Sequence, residues 1–187
     1  MDYQKAAGRL SRLLNGFLKD KSKTFEGAVK ACVRSLRAGG KILVFGNGGS
    51  AAEAQHFAAE LVNRFLKTRP ALRAVALSTD TSVLTSIGND SGFDRVFSRQ
   101  VEALAEKGDV ALALSTSGNS PNVINALKAA KKKKLVTIAM TGKGGGKMAR
   151  LPDHLIDVPS SETPRIQEAH LFLLHLLAEE IETRMCK

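Results

Sequence analysis

The chain has 187 residues, 43% of them hydrophobic and 25% charged, a balance that fits one globular domain and excludes disorder, collagen-like repeats and disulfide-rich scaffolds. Lys and Arg number 28 against 18 Asp and Glu, a net charge of +10, which suits nucleic acid or small anionic substrates without choosing between them. Cys32 and Cys186 form no CxxC, the opening MDYQKAAGRL is no signal peptide, and the longest apolar run, Ala169–Ala178, is far short of the roughly 20 residues of a bilayer span, so a soluble cytoplasmic protein is expected.

Leu10, Leu13, Leu14, Phe17 and Leu18 repeat at helical spacing, as do Phe25, Val29, Cys32, Val33 and Leu36, which predicts two amphipathic helices over residues 1–38. Gly39-Gly40 closes the second. Residues 41–187 then read as strands alternating with helices. Lys41–Phe45 is a strand, Gly46–Ser50 a glycine loop, and an alanine-rich helix runs on to Phe65. Strands are predicted at Leu72–Leu77, Val110–Leu114, Leu135–Met140 and His154–Val158, with helices over Phe93–Ala105, from Pro121 with Ser120 as N-cap, and over Thr163–Arg184. This alternation argues for an open, Rossmann-like parallel sheet of five strands in an α/β/α sandwich, with residues 1–187 as one domain. The run Lys131–Lys134 reads as a solvated helix end. With nine aromatics and no Trp for base stacking, nucleic acid is not the expected partner.

Gly46-x-Gly48-x-x-Ala51 meets the relaxed dinucleotide fingerprint, but the next acid, Asp80, lies about 30 residues on rather than the usual ~20. Small residues there also let backbone N–H groups and Ser50 approach a polar ligand at a helix start. Ser115-Thr-Ser-Gly-Asn-Ser120 crowds four hydroxyls into six residues after a buried strand. That exceeds what capping needs and suits an anion held without a fixed cation. Thr141–Gly146 reads as a flexible turn with Lys143 solvated. His56 and Glu60 stand at i and i+4, and Gln167 and His175 share a broad face of the last helix. Two His, a Glu and a Gln form a possible N/O set for a divalent metal. A histidine inside Leu-Phe-Leu-Leu-His-Leu-Leu equally reads as a packed core residue, and spacing does not decide.

Taken in order, Gly46-Asn-Gly-Gly-Ser50, Ala54-Gln-His-Phe-Ala58, Gly88-Asn-Asp90, Leu114–Ser120, Thr141-Gly142 and Arg165-Ile-Gln-Glu-x-His170 with His175 resemble the sugar isomerase (SIS) domain, and within it the phosphoheptose isomerase family. The resemblance implies a homotetramer with N-terminal helices packed between subunits, active sites at the interfaces, and one zinc per subunit held by His56, Glu60, Gln167 and His175. It implies substrate contacts from Asn47, Gly48, Gly49, Ser50, Glu60, Asn89, Asp90, Ser115, Thr116, Ser117, Ser120 and Gln167. The reaction implied is aldose–ketose isomerisation of sedoheptulose 7-phosphate to D-glycero-D-manno-heptose 7-phosphate through an enediolate, for heptose biosynthesis (lipopolysaccharide, S-layer or capsule). Glu60 would be the base and His175 the proton donor. Pro164 stands where some members carry an acid. The competing reading is a non-catalytic SIS-domain protein resembling a regulator that associates with a replication initiator; such a protein lacks the counterparts of Glu60 and His175.

Overall fold

A computed structural model describes residues 2–186. Five strands, β1 (Ile42–Gly46), β2 (Ala74–Ala76), β3 (Val110–Ser115), β4 (Val136–Thr141) and β5 (His154–Asp157), form one sheet in the order β2-β1-β3-β4-β5 with every pair parallel. Side chains alternate across a strand, so the central strands β1, β3 and β4 feed two cores. Ile42, Val44, Leu112, Leu114, Ile138 and Met140 face one layer, formed by α1 (Tyr3–Arg37), α2 (Gly49–Val62) and α6 (Thr163–Met185). Leu43, Phe45, Ala111, Ala113 and Ala139 face the other, formed by α4 (Val96–Leu104) and α5 (Pro121–Lys132). The expected α/β/α sandwich is therefore present. Burial on both faces explains why β1 and β3 read as continuous apolar runs rather than alternating ones.

The expected pair of opening helices is instead one helix of 35 residues. Lys19-Asp-Lys-Ser-Lys-Thr24 looks like a polar break between two apolar stripes, but it holds no proline, and Gly16 alone costs only about 1 kcal/mol. The stripe continues across it through buried Phe17 and Phe25. Asp2 caps the start, its carboxylate accepting from the N–H of Lys5 at 3.1 Å. A helix over Thr81–Ser91, α3, has no sequence-based counterpart in the expectations above. Its apolar stripe is short, Val83, Leu84 and Ile87, and only half-buried, with Leu84 and Ile87 against the α4–α5 core, and Asp80 is its N-cap rather than a ribose ligand. No helix among the described residues is long and apolar enough to cross a membrane.

The sheet places the chemistry. Gly46 is in register with Leu114, and Ser115 with Thr141, so the loops leaving β1, β3 and β4 lie side by side at the carboxyl edge. The chain leaves β1 toward β2 on one side and meets β3 on the other. That reversal opens the crevice where ligands bind in open α/β sheets.

Candidate functional site

α2 begins at the end of β1, and packing against α6 brings two distant sequence segments together. His56 Nε2 and His175 Nε2 are 2.7 Å apart, and His56 Nε2 is 3.3 Å from Glu60 Oε1. At 2.7 Å one ring N–H donates to the lone pair of the other. Ligand atoms of His56, Glu60 and His175 all lie within 4.8 Å of one another. Two imidazoles and a carboxylate converging on one point form the donor set of a divalent transition metal, so these residues fit such an ion. Gln167, two turns before His175, sets its amide against Gly49. A Cβ at Gly49 would overlap that amide, which explains the glycine at the first turn of α2. The histidine in the apolar run of α6 is thus no packed core residue. It is half-buried, and Phe65 stacks on its ring with centroids 5.5 Å apart.

The two loops are braced to each other. Asn47 and Asn122 exchange amide hydrogen bonds of 2.9 and 2.8 Å, joining the glycine loop to the first turn of α5. Asn122 is buried and is a positioning residue absent from the motifs above. Ser120 occupies the N-cap position of α5 but makes no capping bond; its Oγ lies 3.1 Å from Ser115 Oγ. The Ser117 Oγ accepts from the N–H of Asn119 at 3.1 Å. Gly118 has φ +63°, and a Cβ there would overlap the Gly145 carbonyl, so the β3 and β4 loops close on each other at a glycine.

The SIS domain family model matches residues 5–142. A phosphoheptose isomerase from Geobacter sp. (strain M21) is 54% identical over 164 residues, covering 88% of this chain and 85% of that protein. The phosphoheptose isomerase structure from Neisseria gonorrhoeae is 46% identical with a TM-score of 0.91 and 97% of each chain covered. That from Francisella tularensis is 33% identical with a TM-score of 0.90, covering 97% of this chain and 96% of that one. The chain belongs to the phosphoheptose isomerase family of SIS-domain proteins.

In this family member not every residue of the expected set meets the histidine cluster. Asn89 and Asp90 sit on the last turn of α3, exposed, with the Asn89 amide donating to Asp90 at 2.7 Å and no hydrogen bond from either to the glycine loop or the cluster. The support behind the cluster went unseen in the sequence. Glu182, 1% exposed, accepts from the backbone N–H groups of Phe65, Leu66 and Lys67 and from Arg69 Nε at 3.0 Å. Arg69 also donates to the carbonyls of Glu60 and Leu61. These bonds end α2 at Val62, three residues before the expected Phe65, and hold Phe65 against His175. Burial pushes the Glu182 carboxyl up, but the three backbone donors and Arg69 outweigh it and hold the pKa below the ordinary value.

Two further titratable groups lie behind the site. His170 is fully buried, its ring Nε2 3.2 Å from the Thr141 carbonyl; burial lowers its pKa to about 4 despite that bond. Glu53, on the same face of α2 as His56 and Glu60, is buried, and burial raises it to about 7 against the lowering bond to Ser50. The linkage signs are opposite. Below the unfolded value of about 6.5 the unfolded chain protonates His170 first, so its contribution is whole above that pH and is lost as pH falls toward about 4. Glu53 keeps its proton in the folded chain, so its contribution is whole below the unfolded value of 4.5 and is lost as pH rises to about 7. The thermal midpoint of His170→Gln should therefore fall less than wild type between pH 7 and 4.5, and Glu53→Gln should gain most at pH 8. Parallel pH–midpoint curves for all three proteins would contradict both assignments.

Proposed function

We propose that this chain converts sedoheptulose 7-phosphate to D-glycero-D-manno-heptose 7-phosphate as a step in heptose biosynthesis. The carrying observation is the convergence of Glu60 and His175 from separate helices onto one point, on the helix that follows the glycine loop and the helix that sets Gln167 against Gly49. Aldose–ketose isomerisation needs a base, an acid and stabilisation of a developing oxyanion. Glu60 removes the proton from the carbon beside the carbonyl, and His175 gives a proton to the carbonyl oxygen. The enediol collapses when Glu60 returns its proton to the neighbouring carbon and the other hydroxyl gives its proton back. His56, Glu60, His175 and the amide oxygen of Gln167 would hold a zinc ion, which supplies Lewis-acid polarisation of the substrate oxygens. Ligation weakens Glu60 as a base, so its two roles compete. The retention of both Glu60 and His175 supports this reading over the non-catalytic regulator. Incubation of metal-replete protein with the ketose phosphate tests it: aldoheptose phosphate should appear by NMR, and no turnover would favour the regulator.

The hydroxyl loop binds the phosphate in this reading. Ser120 is free of capping duty and Ser115, Ser117 and Thr116 flank it, beside the start of a helix whose dipole favours an anion. Joint replacement of Ser117 and Ser120 by Ala should raise KM for the phosphorylated ketose at least tenfold, with the fold intact by circular dichroism. An unchanged KM would remove the loop from phosphate binding. Glycine-loop residues Asn47, Gly48, Gly49 and Ser50 contact the sugar, and Asn89 and Asp90 complete the contacts.

The protein works as a homotetramer in the cytoplasm. Leu66 at 62%, Val62 at 48% and Phe172 at 38% exposure support the assembly, because all three flank the histidine cluster from α2, its following loop and α6. Cys32 and Cys186, both free thiols, suit that compartment. Light scattering at micromolar concentration should give four copies, and a fully active monomer would contradict it.

A further inference from the structure

The hydroxyl loop as described has donors but no cation. A cleft of about 240 Å³ beside it is lined by Thr116, Ser117, Lys143, Ser160, Ser161, Thr163 and Ile166. Five hydroxyl-bearing residues and one lysine therefore line one space, and among the described residues no Asp or Glu lines it. We propose that Lys143 is the cation of the phosphate subsite and that Ser160 and Ser161 complete its wall. This rests on the reading that the hydroxyl loop receives the phosphate.

The backbone holds Lys143 at this rim. Its N–H donates to the Ser160 carbonyl at 2.9 Å, and the N–H of Gly142 donates to the Thr116 carbonyl at 2.9 Å. Three segments thus meet at Gly142, where a Cβ would come within 2.6 Å of the Thr116 oxygen and 2.9 Å of the Ser160 oxygen. Glycine there is a requirement of close approach, and the approach sets Lys143 beside Thr116 and Ser117. The turn that follows is stiffened by the Gly145 N–H donating to the Gly142 carbonyl at 3.1 Å and by Gly118 closing on Gly145. Lys143 is thus exposed, as expected, but on a turn whose backbone is fixed. Among the described residues it has no ion-pair partner, whereas Arg165 nearby is taken by Glu168. A dianionic phosphate in a cleft with donors and one unpaired ammonium forms charge-assisted hydrogen bonds, stronger than those from the hydroxyls alone. Lys143 is therefore a specificity residue. It selects phosphorylated over neutral ketoses and takes no part in the proton transfers at Glu60 and His175.

The test measures the dissociation constant of inorganic phosphate by ³¹P NMR titration and the kinetics with sedoheptulose 7-phosphate, on wild type, Lys143→Met and Lys143→Arg. Lys143→Met should weaken phosphate binding about tenfold or more and raise KM by a similar factor, with kcat near wild type. Lys143→Arg should restore most of both. Equal phosphate affinity in wild type and Lys143→Met would overturn the assignment, as would a loss in kcat that arginine does not rescue. The two readings separate cleanly. Turnover by wild type with a phosphate constant blind to Lys143 removes Lys143 and keeps the isomerase. A Lys143-dependent phosphate constant without turnover keeps the anion subsite and removes the isomerase.

Discussion

Glu60→Gln is expected to lower kcat by two orders of magnitude or more while leaving the chain folded. The replacement keeps the size and the polar tip but removes the basic oxygen, and general acid–base groups contribute about 10²–10⁴ in rate. His175→Asn should act alike, because its ring nitrogen lies 2.7 Å from His56 and shares the same point of convergence. His170→Gln is the control: its ring is buried behind the site against the Thr141 carbonyl, so it should cost thermal stability and little kcat per folded molecule. Measuring kcat, bound zinc and thermal midpoint on the same preparations separates chemistry from folding. Loss of activity in step with the folded fraction in all three would contradict a catalytic cluster. Near-wild-type kcat in Glu60→Gln would remove Glu60 as the base.

The largest stability effect is expected far from the reacting atoms. Glu182→Ala leaves the Arg69 guanidinium buried without its carboxylate and strands the N–H groups of Phe65, Leu66 and Lys67. Removing one partner of a buried pair costs about 3–5 kcal/mol, which lowers the midpoint of a chain this long by roughly ten degrees. Activity should fall as well, since the same bonds hold Phe65 on the ring of His175. The double variant Glu182→Leu with Arg69→Met should recover only the part due to the unpaired charge, because the three N–H groups and the Glu60 and Leu61 carbonyls still lack partners. A midpoint shift under two degrees in Glu182→Ala would show that the network carries far less than its burial suggests.

The fold was legible wherever local pattern and tertiary structure agree. Strand runs such as Ile42–Gly46 and Val110–Ser115 are apolar because both faces are covered, and the loops after them carry glycine or hydroxyls. α3 escaped because only Val83, Leu84 and Ile87 mark its inner face and none is fully buried, and the long α1 read as two because its middle is polar on the surface yet still helical. For the site, His56 and Glu60 were visible as one helical face, whereas their meeting with His175 depends on the packing of α2 on α6, which spacing alone leaves open. Glu182 and Arg69 stand 113 residues apart, and Asn47 and Asn122 stand 75 apart. Neither pair carries a local signature, since an acid in a helix or an asparagine near a helix start is ordinary until the fold supplies its partner. Lys143 read as solvated and is exposed, but that Gly142 closes against two other loops and sets it beside Thr116 was not legible.

The central claim is that a base at this cluster moves a proton between adjacent carbons of a ketose phosphate. Solvent isotope incorporation tests it most directly. Metal-replete enzyme is incubated with sedoheptulose 7-phosphate in D₂O, and the aldose formed is examined by ¹H and ²H NMR. A proton held on the Glu60 carboxyl between its removal and its return is open to exchange with solvent deuterium. The account predicts aldoheptose 7-phosphate carrying deuterium on the carbon that received the proton. No aldose at all, or aldose with the same deuterium content formed at an undiminished rate by Glu60→Gln, would contradict it.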